Sequence, residues 1–392
     1  MNMLFLGLFL LFMIIPKEAL AIYDPLSVPN NKYGIHIVDE NDLENAASLV
    51  NSTGGDWGYV TMVMRKDDRN LTKWQKIFDQ MRSLHLIPLI RLATIMQNDI
   101  WQRPDLKEAS IWAKYLNNLE WPIKNRYVIL FNEPNHAKEW GGIVDPESYA
   151  NVVASYSAEL KKQSEDFFVL APGLDASAPK SFTTTDEETF LRAMLKTNPN
   201  FFDQVDGWVS HSYPNPGYRG NSNDQGKGTI RTFLWEKELL NKLNIFKNLP
   251  IFITETGWPH QEGLPANPTY FSADDIPPKI LESIQTAWQD ENIVAITPFI
   301  LNYQSYPFSH FSWQKYGSND FYPQFYAYQS LSKIKGEPMI NYNKKQENVL
   351  GLNSSSSSDL TVEKKGENIL NYLLSKSYSL FLSLTKFISS YI

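Results

Sequence analysis

Gly34-Ile35-His36-Ile37-Val38-Asp39 is the stretch on which the fold turns. It is a β-rich run that opens a long alternation of strand and helix patterns, which places the chain in the α/β class. An open, doubly wound sheet carries a Gly-rich phosphate turn after its first strand. Residues 34–39 hold no such turn. The expectation is therefore a closed (β/α)8 TIM barrel, a single domain over residues 22–340.

Working outward, further β-rich runs fall at 59–64, 87–92, 128–131, 167–170, 207–210, 251–254 and 295–300. Several are apolar at every position, as strands covered on both faces are. Helical patterns lie between them. Trp74, Ile77, Phe78 and Met81 mark one buried face, and Tyr149, Val152, Val153, Tyr156 and Leu160 mark another. Asp145-Pro146 opens the second as an N-cap followed by a first-turn proline. Helices are also predicted over 186–195, 230–243, 276–288 and 325–334. The 392 residues accommodate one barrel of ~250 residues or more with appendages at both ends.

Composition removes several function classes. Hydrophobic residues at 43% exclude a wholly disordered chain. A net charge of −7, with no Lys/Arg-rich run, argues against nucleic acid as a partner. Cysteine is absent, so there is no disulfide, thiolate metal site or cysteine nucleophile. His36, His85, His136, His211, His260 and His310 form neither a His-x-His strand nor a His-Glu-x-x-His helix, and no metal centre is expected. No Gly-x-Ser-x-Gly elbow marks a serine hydrolase. Aromatic residues, by contrast, are plentiful at 14%.

The ends differ from the body. Met3 to Ile15 is an apolar run followed by Ala19-Leu20-Ala21, which reads as a signal peptide over 1–21 and a secreted or extracytoplasmic protein. Its n-region lacks Lys and Arg, and an uncleaved anchor is the competing reading. Residues 341–367, with Asn353 and five serines, read as a flexible linker. Residues 368–392 read as an amphipathic helix, from the spacing of Ile369, Leu370, Leu373, Leu374, Leu380, Phe381 and Leu384. Three roles stay open for it: peripheral membrane contact, self-association, or folding back on the barrel.

The chemistry is expected where barrel strands end. The fourth run, Val128 to Phe131, delivers Asn132-Glu133-Pro134-Asn135-His136, and the seventh, Ile251 to Thr254, delivers Glu255-Thr256-Gly257-Trp258-Pro259. Carboxylates are scarce at the ends of apolar strands unless they are paired or used. Two facing one mouth suit glycoside hydrolysis, which needs one protonated carboxyl and one ionised carboxylate. Salt-bridged or capping glutamates in loops are the structural alternative.

Phe-Asn-Glu-Pro-Asn at 131–135 and Thr-Glu-Thr-Gly-Trp-Pro at 254–259 resemble the two signatures of retaining glycoside hydrolases of clan A, over roughly Tyr33 to Lys335. The resemblance implies Glu133 as acid/base, Glu255 as nucleophile, and Asn132 on the sugar 2-hydroxyl. It implies a β-linked poly- or oligosaccharide substrate and no cofactor. His211-Ser212-Tyr213 is similar to the clan's strand-6 His-x-Tyr, so Tyr213 is expected to orient the nucleophile and His211 to bond a sugar or a loop. Arg65 and Arg91 both close strands and either could hold Glu255 ionised; the resemblance favours Arg65. The clan's strand-8 tryptophan is missing from Phe299-Ile300-Leu301-Asn302-Tyr303, leaving Tyr303 or Trp313 as substitutes. Trp101, Trp140, Trp258 and Trp313 follow strand ends and, with Tyr303, Tyr306, Phe308 and Phe311, are expected to line a sugar cleft. A carbohydrate-binding barrel without turnover is the rival reading.

Overall fold

The structure, a computed structural model, describes residues 23–341. The expected signal segment over 1–21 and helix over 368–392 lie outside the described residues, as does all but the first residue of the expected linker over 341–367.

The apolar runs become short strands. In chain order these are β1 (Gly34–His36), β2 (Gly58–Arg65), β3 (Leu86–Ala93), β4 (Met96–Gln97), β5 (Ile100–Trp101), β6 (Arg126–Ile129), β7 (Phe167–Leu170), β8 (Trp208–His211), β9 (Ile251–Glu255) and β10 (Ile293–Ile296). All but β4 and β5 are parallel, in the order β1-β2-β3-β6-β7 and β10-β9-β8. Single parallel bridges, Tyr33 to Ile296 and Leu170 to Gly207, join the two sheets at both seams and close the barrel. At the first seam the fit is tight. A Cβ on Gly34 would lie 2.6 Å from the Thr297 methyl across that seam and 2.7 Å from the Tyr59 carbonyl oxygen on β2, so only glycine lets β1 approach both neighbours there.

Among the described residues eight helices cover the outside: α1 (Leu43–Val50), α2 (Leu71–Ser83), α3 (Glu108–Asn117), α4 (Pro146–Gln163), α5 (Glu187–Thr197), α6 (Thr232–Lys242), α7 (Ile276–Gln285) and α8 (Pro323–Gln329). Their starts follow local chemistry. Asn70 accepts from the Lys73 amide at 3.0 Å, and Asp145 from the Ser148 amide at 2.9 Å ahead of Pro146. Trp74, Ile77, Phe78 and Met81 are buried on α2, as their spacing predicts. Each such side chain contributes about 1.5–3 kcal/mol by leaving water.

Two strands stop earlier than their hydrophobicity suggests. The fourth barrel strand ends at Ile129 because Phe131 takes a left-handed φ of 73°. The eighth ends at Ile296, shortly before Pro298, which has no amide proton to donate. The β4–β5 hairpin is an addition that the alternation did not reveal. Its two-residue turn, Asn98-Asp99, has both φ values positive (51° and 60°), as a type I′ turn requires.

Along the barrel axis the interior changes character. Tyr59, Ile87, Leu89, Tyr127, Ile129, Phe168, Leu170, Val209 and Phe252 form an apolar plug toward the strand N-termini. Thr61 and Thr297 follow, hydrogen-bonded at 2.9 Å, and above them come charged residues. The floor is closed by both ends of the described chain. The Asn125 side chain donates to the Tyr23 carbonyl at 2.8 Å, and the Asn341 amide to the Pro122 carbonyl at 3.1 Å. No helix among the described residues is long and apolar enough to cross a membrane.

Candidate active site

Two glutamates meet at the mouth, and each gets there by breaking a local rule. Phe252 faces the barrel interior, and strict alternation would send Glu255, three residues on, to the helix side. The β8–β9 register slips instead: Ser210 opposes Ile253, but His211 opposes Glu255. The extra residue, Thr254, forms a bulge that turns Glu255 inward. Glu133 is reached through Phe131 and Glu133 itself, both left-handed at φ 73° and 27°. Such backbone costs about 1–3 kcal/mol unless packing holds it. Phe131 is wedged edge-on between Trp140 and Tyr156, with centroids 5.8 and 5.2 Å away.

The side chains then interlock. An oxygen of Glu133, an oxygen of Glu255 and a ring nitrogen of His211 lie within 4.8 Å of one another. His211 Nδ1 is 2.8 Å from Glu133 Oε1 and 3.8 Å from Glu255 Oε2. Tyr213 donates its hydroxyl to Glu255 Oε2 at 3.1 Å. Arg91 donates to Glu255 Oε1 and, at 2.7 Å, to the Asn132 side-chain oxygen. A Cβ on Gly173 would overlap the His211 ring, so glycine after β7 is what gives His211 its place. Gly173 did not stand out by pattern, and Arg91 could be named only beside Arg65, because both act through contacts between strands distant in sequence.

Charge balance follows from this geometry. Burial alone would push the Glu255 carboxyl up, but the His211 and Arg91 charges outweigh it and hold it well below the usual carboxylate range. Burial alone would pull His211 down; Glu255 and the bond to Glu133 reverse that and raise it. His36 sits deeper, and its burial, then the Arg91 charge, lower its pKa to about 3, so it is neutral. The three ligating groups have a spacing that a metal could bridge. Among them Glu255 already carries a guanidinium, whose positive charge disfavours a second cation there.

Several expected positions fall elsewhere. Arg65 does not reach Glu255; it pairs with Asp67 at 2.9 Å, its side chain 53% exposed. The register explains this: Arg91 lies opposite Val63, while Arg65 lies opposite Ala93, two residues nearer solvent. Trp140 is fully buried against Phe131 and Tyr149 and has no face for a sugar. Trp258 is 3% exposed, its indole donating to the Gly220 carbonyl at 2.9 Å. Trp313 is also buried, edge-on to Tyr328 at 5.4 Å. Three loop tryptophans are thus packing residues, buried in the main hydrophobic cluster. Tyr303 is the exception, half-buried against Phe308 at 5.4 Å.

Phe299 takes the strand-8 position instead. It packs edge-on to His36 at 5.1 Å and, with Phe311, Tyr213, Tyr218, Tyr303 and Phe308, makes an aromatic wall beside Glu255. The opposite rim is stitched from three loops by Gly141 N to Trp101 O and Ala137 N to Thr183 O, both at 2.8 Å. It exposes Met96, Ile100, Ile143 and Phe182, with Trp101 half-buried.

No family model matches the chain, and no curated protein matches it by sequence. Solved structures do. A monomeric β-xylosidase from Caulobacter crescentus CB15 superposes with a TM-score of 0.53 at 14% identity, over 77% of this chain and 68% of that one. A glucosidase from Croceicoccus marinus gives 0.55 at 11%, over 78% and 68%. A fungal β-1,4-galactanase gives 0.51 at 15%, over 74% and 90%. At these identities the likeness establishes the barrel fold.

Proposed function

We propose that the barrel is a retaining glycoside hydrolase that cleaves β-glycosidic bonds of a poly- or oligosaccharide. The observation that carries this reading is the pair of glutamate oxygens within 4.8 Å, one carboxylate held ionised by the His211 and Arg91 charges. Double displacement uses carboxyl groups ~5–5.5 Å apart, whereas inversion needs ~6.5–9.5 Å to admit water. Glu255 attacks the anomeric carbon and forms a glycosyl ester while Glu133 gives its proton to the departing oxygen. Glu133 then takes a proton from water as that water attacks the ester and frees Glu255. Tyr213 and Arg91 hold the two Glu255 oxygens, which fixes the attacking lone pair. The sugar chain lies between the aromatic wall and the apolar rim, where ring faces can stack. The names of the xylosidase, glucosidase and galactanase neighbours fit this reading. We read residues 1–21 as an export signal, which places such a substrate outside the cytoplasm.

The full chain incubated with a panel of β-linked polysaccharides should release sugars, with ladders marking endo action and single sugars exo action. Glu133→Gln and Glu255→Gln should each lose about 10²-fold or more, Glu255→Gln keeping polysaccharide affinity. NMR of the first-formed anomer should read retention. Unchanged turnover in Glu133→Ala and Glu255→Ala would sink the assignment, and binding with no turnover in the unmodified chain would leave a carbohydrate-binding barrel.

A further inference from the structure

Two histidines that the reaction as described does not use tie the loop after β9 to the loop after β10. His260, on the loop that follows Glu255, is fully buried, its ring 4.2 Å from the Tyr322 ring. Its Nε2 lies 2.8 Å from the Ser312 carbonyl oxygen. A carbonyl can only accept, so that nitrogen carries the ring proton. Burial lowers the pKa of the ring and outweighs Glu262, 3.3 Å from Nδ1, so near neutral pH the ring is uncharged. The two loops also pair reciprocally. The His260 amide donates to the His310 carbonyl at 2.8 Å, and His310 Nδ1 donates to the His260 carbonyl at 2.7 Å. Ser309 completes the tie, its hydroxyl accepting from the Leu264 amide at 2.9 Å and donating to the Leu264 carbonyl at 3.2 Å. Gly263 leaves the His310 ring its place, since a Cβ there would lie 2.3 Å from Nδ1.

The tied residues interleave with the aromatic wall. Ser309, His310 and Ser312 are bonded to the β9 loop, whereas Phe308 and Phe311 pack edge-on to Phe299 at 5.2 and 5.8 Å. Phe311 also packs on Tyr213 at 5.8 Å, the residue that donates to Glu255. We infer that His260 is a positioning residue for this wall: through Ser312 and His310 it fixes Phe308 and Phe311 beside the Tyr213–Glu255 pair, where the sugar chain docks. On its other side the turn is held by the Ile300 amide, which donates to the Phe311 carbonyl at 3.1 Å. His260 supplies the restraint from the side of the nucleophile's own loop. A buried carbonyl stripped of its donor turns toward another partner, and a turn of Ser312 carries the adjoining Phe311 with it.

The role rests on the glycosidase reading, and the test keeps the two apart. On a β-linked polysaccharide that the unmodified full chain turns over, His260→Phe, which fills similar space and donates nothing, should raise KM roughly tenfold and leave kcat within about twofold. That split marks the loss of binding shared by ground and transition states. His260→Gln, whose side-chain amide can still donate, should recover most of the KM. Gly263→Ala, which drives the His310 ring from its place with His260 intact, should raise KM in the same way, and it carries the test if His260→Phe does not fold. An unchanged KM in these variants, a kcat lost with KM intact, or a Gln variant as impaired as the Phe variant would overturn the role. A readout independent of turnover is NMR of nitrogen-labelled histidine. The His260 proton should sit on Nε2 and the His310 proton on Nδ1, both slow to exchange; a His260 proton on Nδ1 also overturns the tie. Should the glycosidase reading fail, Glu133→Ala and Glu255→Ala would leave activity intact, while these imidazole signals still report on the loops. If the chain binds polysaccharide without turnover, the same loss should appear in Kd.

Discussion

Arg65 ends β2, whereas Arg91 lies two residues before the end of β3; they share the same parity, yet only Arg91 touches the candidate nucleophile, because one step of the pleat separates their levels. The difference has a measurable sign. Arg91 helps to hold Glu255 ionised, so Arg91→Gln should raise the Glu255 pKa and move the acidic limb of the activity profile to higher pH. Arg65→Gln breaks an exposed pair and should change stability by about 0.5 kcal/mol or less, leaving that limb in place. Profiles of both variants decide the matter. An acidic limb displaced by Arg65→Gln and untouched by Arg91→Gln would contradict the geometry. Glu133 and Glu255 themselves could be picked out from sequence, since carboxylates closing apolar runs are conspicuous. Tyr213, two residues past a strand, could be picked out only through the His-x-Tyr resemblance. Arg91 could be shortlisted but not chosen over Arg65, because strand register is a tertiary property. Trp140 misled, for a loop position says nothing about whether the loop folds back to bury it.

The strand and helix periods carried most of the fold, down to the buried faces of α2 and α4. The Thr254 bulge was not legible, since neither glycine nor proline marks it and only the slipped β8–β9 pairing reveals it. Another element-level feature escaped for a similar reason. Glu187 opens α5 and Glu236 lies within α6, where sequence alone suggests solvated carboxylates, yet both are fully buried. The Trp208 indole donates to one Glu236 oxygen at 3.0 Å, and the other three carboxyl oxygens lack a donor among the described residues. Burial, then the Glu236 charge, raises the Glu187 pKa far above that of a free glutamate, and burial likewise raises Glu236. In the unfolded chain both ionise freely above about pH 4.5. Their contribution to stability is therefore largest below that value and falls as pH climbs toward their raised folded values. Glu187→Gln should stabilise the fold at pH 8 by about 1–3 kcal/mol and change little at pH 4.5. Urea unfolding at the two pH values reads this, and equal effects at both would count against a protonated pair.

At the scale of the whole molecule, the abundance of aromatic residues resolves mainly into packing. Seven of the described tryptophans that are at most 5% exposed, Trp57, Trp74, Trp112, Trp121, Trp140, Trp208 and Trp288, support the barrel and its helix layer, and Trp258 and Trp313 join them. The cleft is walled instead by phenylalanine and tyrosine around Phe299. Polarity is sorted along the barrel axis, with the apolar plug at one end and the carboxylates at the other. The chain ends take part in the same sorting. Tyr23 and Asn341 are both tied to the short segment 122–125 that leads into β6, on the floor. That neighbourhood makes the barrel a natural ring. A circular permutant with 341 joined to 23 by a few glycines, and reopened in the exposed floor loop near Phe246, should unfold in one cooperative transition and keep the arrangement around Glu133 and Glu255. In such a molecule the order of the genetic message would change while the order of the strands around the barrel would not.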